Sequence, residues 1–160
     1  MRPFIDLSNL DFNGDTLIYY SRLYVLISIV VLFALVIGSI YVLSIENGFI
    51  FSIILWFVVL FYGQKIFYRL QRMNEIQFKI NSKGIQFRNE NFITWDNIEN
   101  ARVISEKRGD EDIVYYFRYY IISENRVIQT EIEPLNISSN ELALAIRIFT
   151  EKFNIEKNKI

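Results

Sequence analysis

Two side chains that do much of the chemistry in proteins are missing from this chain: its 160 residues include no cysteine and no histidine. Disulfides, thiolate nucleophiles, imidazole bases and the usual zinc ligands are thereby removed, leaving Asp, Glu, Lys, Ser and Tyr to carry any reaction. No such residue stands beside a base in a way that suggests an activated nucleophile, so neither an enzyme nor a cofactor is expected. Glu106 with Asp110, Glu111 and Asp112 could offer oxygen ligands to a divalent cation. The spacing is not that of a calcium loop, and "GDED" reads more simply as the solvated tip of a hairpin, so no metal site is expected. Lys79, Lys83 and Arg88 form a thin basic cluster offset by Glu90, too sparse to specify a phosphorylated headgroup. A net charge of −1 and a pI near 5.6 argue against nucleic acid, which demands a basic face.

Binding is the chemistry that remains. "IVYYFRYYIIS" is a long β-branched and aromatic run, and one face of such a strand should be turned to solvent even though it carries tyrosine. Tyr and Arg are enriched at protein interfaces, so Tyr115, Tyr116, Arg118, Tyr119 and Tyr120 are the candidate partner-binding residues. Trp95 and Asp96 in "FITWDNIENARV" offer a second possible contact. The plainer reading places the Trp95 ring in a core or on a sheet rim, with Asp96 capping the turn toward Ile98.

These residues need elements to hold them, and composition divides the chain in two. Hydrophobic residues make up 52% of it, high for a soluble domain of this size, and they crowd the first half while most of the charge lies in the second. From Leu23 to Leu43 there is no charged residue, a length that crosses a hydrocarbon core as a helix. "SIENG" (Ser44 to Gly48) is a turn, and "FIFSIILWFVVLFYGQ" (Phe49 to Gln64) is a second uncharged run, long enough to span if the helix continues through Tyr68. Residues 23–68 thus read as a two-helix transmembrane hairpin, with Tyr19, Tyr20, Tyr24, Tyr41, Tyr62 and Tyr68 near its ends, where aromatic residues favour the interface. Arg22, Lys65, Arg69 and Arg72 flank the hairpin as membrane-interface anchors, whereas the connecting turn has no Lys or Arg. The positive-inside rule then puts both termini in the cytoplasm, as in a multi-pass protein of a bacterial inner membrane touching its lipids.

After Arg72 the periodicity changes. "EIQFKI" alternates, "NSKG" turns, and "IQFR" resumes the alternation, which makes a hairpin. "FITW", "NARVISEKR", "IVYYFRYYIIS" and "VIQTEIE" follow between short polar turns, giving six strands in meander order. The closing element is "SSNELALAIRIFTEKF": Ser138 with Glu141 fits a capping box, and Leu142, Ile146, Phe149 and Phe153 share one helical face. The predicted architecture is a membrane α-helical hairpin plus an α+β domain over residues 75–155, an antiparallel meander closed by a C-terminal helix.

With "FKINSKGIQF" followed by "ITWDNI", in which Trp95, Asp96 and Ile98 take the motif positions, the chain resembles bacterial PH-like proteins that carry an N-terminal two-helix membrane hairpin. The resemblance implies the pleckstrin-homology superfold, whose seven strands exceed the six counted after the hairpin. The cytoplasmic arm, residues 1–22, is expected to add the seventh through "PFIDL", Pro3 to Leu7. The functional expectation is a non-enzymatic integral membrane protein whose PH-like domain binds an unknown protein partner at the membrane face. The alternative is an immunity protein that neutralises a membrane-acting toxin, or a subunit of a membrane complex.

Overall fold

A computed structural model of the protein describes residues 10–45, 48–109 and 112–159. The expected strand at Pro3–Leu7 lies outside the described residues, and the arm supplies a strand further along, β1 (Thr16–Ile18). Then come two long helices, α1 (Arg22–Leu43) and α2 (Phe49–Gln71). Strands β2 (Phe78–Asn81), β3 (Gly84–Phe87), β4 (Ile93–Thr94), β5 (Ile98–Arg108), β6 (Asp112–Ile121) and β7 (Arg126–Glu131) follow, and α3 (Ser139–Lys157) ends the fold. β1 to β4 form a four-stranded antiparallel sheet in chain order, and β5 to β7 form a three-stranded one.

Each helix of the hairpin is long and apolar enough to cross a bilayer. Neither resembles a core helix, because its large side chains point outward: Phe61 is 68% exposed and Ile37 67%. Of the residues the two helices bury, half are serines and the others are Val25, Val59 and Ile66. Ser28, Ser39 and Ser52 lie between them, and the Ser52 hydroxyl donates to the Ser39 carbonyl at 3.0 Å. Gly63 sits against Leu32, where the missing side chain lets the two helices approach closely.

β1 pairs with β2 across the whole length of the hairpin, Thr16 opposite Ile80 and Ile18 opposite Phe78. The hairpin is therefore an insertion between the first two strands of the sheet. This moves the boundary expected at residue 75: β1 belongs to the same unit as β2 to β7, and α3 runs on to Lys157. The junction is tightly tied. The Gln77 amide donates to the Ile18 carbonyl at 2.7 Å, the Ser21 amide to the Pro134 carbonyl at 2.8 Å, and the Tyr19 amide to Asn136 Oδ1 at 2.8 Å. Tyr20 bridges Leu135 and is buried with the core, so Tyr19 and Tyr20 pin the domain instead of lining a membrane interface.

The core lies between the sheets under α3. Phe78 and Ile80 from one sheet meet Phe117 and Ile121 from the other, with Leu142, Ala145, Ile146 and Phe149 closing over them. Alternation puts these strand residues inward, and the helical spacing does the same for α3. Ser138 caps α3 as expected, its hydroxyl bonded to the Glu141 amide and carboxylate. Trp95 is buried and its Nε1 donates to the Asn81 carbonyl at 3.0 Å. Asp96 caps no turn; it pairs with Lys157 near the end of α3.

Candidate functional site

β6 is the middle strand of the second sheet, and its register divides its residues between two faces. Phe117, Tyr119 and Ile121 turn inward, opposite Val103 and Ile128, which pack on the core. Tyr116, Arg118 and Tyr120 turn outward, opposite Ile104, Arg102 and Glu99 on one side and Glu131, Gln129 and Val127 on the other. The five expected binding residues therefore do not stay together. Tyr116, Arg118 and Tyr120 share the outer face. Tyr119 is 1% exposed and belongs to the core, because a period of two puts neighbours on opposite sides. Tyr115 shares the side of Phe117 yet is 40% exposed, since β7 ends opposite Tyr116 and the β5–β6 ribbon runs on beyond it.

The Tyr119 hydroxyl has no hydrogen-bond partner among the described residues, and its pKa is pushed above the ordinary phenol range by burial, then by the negative charge of Glu90. A buried hydroxyl without a partner costs its desolvation and returns nothing. Tyr119→Phe is therefore expected to raise domain stability by about 1 kcal/mol, read from the urea midpoint. A loss of stability would mean that the hydroxyl is bonded.

On the outer face a bulge interrupts β5 between Glu99 and Arg102, with Asn100 in the left-handed region at φ 55°. The strand bends there, and a groove of about 420 Å³ opens, lined by Glu99, Asn100 and Arg102 of β5, Arg118, Tyr119 and Tyr120 of β6, and Val127. Tyr120 is held in place by a 2.5 Å hydrogen bond from its hydroxyl to Asn125 Oδ1, and Val127 is 47% exposed beside it. Arg102 and Val127 escaped the sequence reading. Each lies in a different strand from Arg118, and only the register brings them beside it.

The four expected membrane anchors have different surroundings. Arg69 pairs with Glu131 at 3.5 Å and lies 5.2 Å above the Tyr24 ring. Arg72 is 3.9 Å from Glu75 and 4.6 Å from the Tyr68 ring, and Arg22 donates to Asn74 Oδ1 at 3.0 Å. Arg69 thus joins the hairpin to β7, whereas the contacts of Arg72 and Arg22 lie at the hairpin's own end. Lys65, one turn earlier on α2, is exposed beside Phe61 and Tyr62. Two other cations are matched: Lys79 with Asp15, whose carboxyl is held below its usual range by hydrogen bonds from Asn81 and Lys79, and Arg126 with Glu90 and Glu124.

Compared with protein-family models, curated proteins and solved structures, the chain matches none.

Proposed function

We propose that this chain is a non-enzymatic integral membrane protein whose PH-like domain is held at the cytoplasmic face of a bacterial inner membrane and binds a protein partner there. The observation that carries the reading is the insertion of the apolar hairpin between β1 and β2, with both its ends tied to the domain. A hairpin so inserted leaves and returns on one side, which supports a domain standing at a fixed height and orientation above the bilayer. The outward apolar side chains of α1 and α2 support lipid as their solvent, since their exposure to water would be strongly unfavourable. Seven strands in sheets of four and three, closed by one helix, support the pleckstrin-homology layout. The outer face of β6, with Tyr116, Arg118 and Tyr120, supports protein as the ligand.

The test is affinity purification of the full chain from native membranes beside a variant in which a short linker replaces residues 22–73, so that β1 is kept. One partner retained by both chains, and lost from both on Tyr116→Ala with Tyr120→Ala, is the expected result. A partner held only by the full chain would move recognition to the hairpin, where a toxin or another membrane subunit becomes the natural ligand. No reproducible partner in either would sink the proposal.

A further inference from the structure

We infer that the groove on the outer face of β5, β6 and β7 takes an acidic peptide segment of a partner protein, its carboxylates engaging Arg102 and Arg118 while an apolar residue packs on Tyr120 and Val127. The inference rests on the proposed protein-binding role and names its surface and the chemistry of its ligand.

Arg102 and Arg118 are directly opposite each other on adjacent antiparallel strands. Like charges so placed oppose sheet pairing, and an isolated domain gains nothing from them. Both are exposed, and neither guanidinium has an ion pair or hydrogen bond among the described residues. The neighbouring polar groups do not relieve them: Gln129, opposite Arg118, donates to Glu106 at 3.3 Å instead, and Glu99 lines the same groove without pairing with either arginine. This contrasts with Arg69, Arg126 and Arg147, each of which has a carboxylate. Two adjacent guanidinium forks with free donors match paired carboxylates, which arginine can engage bidentately.

The surroundings favour a peptide over a lipid headgroup. The groove continues from the arginines onto the fixed ring of Tyr120 and exposed Val127, a combination that suits an acidic residue followed by an apolar one. The bulge at Asn100 lines the groove next to Arg102.

The test selects a random dodecapeptide library displayed on phage against the full chain in detergent micelles. Enriched peptides are expected to carry two or more Asp or Glu residues beside an apolar one. Arg102→Glu with Arg118→Glu is expected to lower their recovery about tenfold or more and to enrich basic peptides instead. That double variant exchanges one like-charge pair for another, so its urea midpoint stays near wild type and lost recovery is not lost fold. The milder Arg118→Gln is expected to weaken a selected peptide several-fold, measured by fluorescence anisotropy. Enrichment of neutral peptides, enrichment insensitive to both variants, no enrichment, or displacement of a selected peptide by vesicles of anionic phospholipid but not of phosphatidylcholine would each overturn the inference. The protein-binding role would survive the first two of these if purification still returned a partner lost on Tyr116→Ala with Tyr120→Ala.

Discussion

Phe117→Ala is expected to destabilise the α+β domain by about 3–5 kcal/mol, the usual range for deleting a fully buried aromatic ring. Phe117 has no exposed surface and occupies the point where the two sheets meet. Its ring stands edge-on to Phe78 of the first sheet at 5.5 Å and lies 5.1 Å from Tyr119 of its own. The deletion therefore opens a void bounded by two other aromatic rings, one of which, Phe78, is backed by Phe87 at 5.1 Å. These rings are anchored in paired strands and cannot collapse fully into the space, which adds a cavity cost to the lost transfer energy. Domains commonly have only about 5–15 kcal/mol of stability in total, so most of the reserve would go. The measurement is urea unfolding of the full chain in detergent, followed by Trp95 emission in a Trp56→Phe background. Phe117→Leu should cost far less, about 1.5 kcal/mol or below, because it refills much of the volume. A loss under about 1 kcal/mol for the alanine variant would mean that the two sheets do not meet at this ring.

The second large effect is expected from the smallest addition, one methyl group at Gly84. A Cβ built there would lie 2.0 Å from the Ile93 carbonyl oxygen and 2.8 Å from the Thr94 Cα. Both are backbone atoms of the neighbouring strand, so no side chain can rotate away. β3 and β4 pair only through Gly84 with Thr94 and Ile85 with Ile93, and the pair must separate to admit the methyl. Gly84→Ala is therefore expected to cost about 3 kcal/mol, at the upper end of overpacking. The loss should have a local signature, because Trp95 is held through the same corner: its amide donates to the Lys83 carbonyl at 3.2 Å and its indole to Asn81. Native-state Trp95 emission should shift to the red in Gly84→Ala. Gly109 provides the contrast. It is left-handed at φ 80° with open space around its Cβ position, so Gly109→Ala meets only backbone strain, about 1 kcal/mol, and leaves Trp95 unchanged. Equal losses at the two glycines would show that the close approach of β3 and β4 is not what matters.

Much of this architecture can be read without coordinates, for reasons that are local. α1 begins within a residue of the uncharged run at Leu23, and α2 starts at Phe49 and runs past Tyr68, since an uninterrupted apolar stretch of that length with no Pro is a helix signal by itself. The six strands after the hairpin are signalled by alternation and by short polar turns. The cap at Ser138 and the face of Leu142, Ile146 and Phe149 are likewise written in a few adjacent residues.

The rest depended on which distant segments meet. "TLI" is too short to show a period, and it became β1 only because β2, beyond the whole hairpin, offers it an edge. The same pairing turned an apparent N-terminal anchor into an insertion. The candidate site shows the limit most clearly. Alternation in "YYFRYY" establishes that neighbours face opposite ways, and Arg118 marks the set with Tyr116 and Tyr120 as the outer one, but the run taken as a whole kept Tyr119 with them. Contacts with Phe78, Val103 and Ile128 selected Phe117 and Tyr119 as the inner set. The β5 register, offset by the bulge at Asn100, then placed Arg102 beside Arg118. Sequence by itself determined what each segment is, because propensity, capping and hydrophobic period act over a few residues. Tertiary structure alone decided which strands pair and which charges are neighbours, because strand register is set by pairing between distant residues, and a slip of one position reverses every side chain.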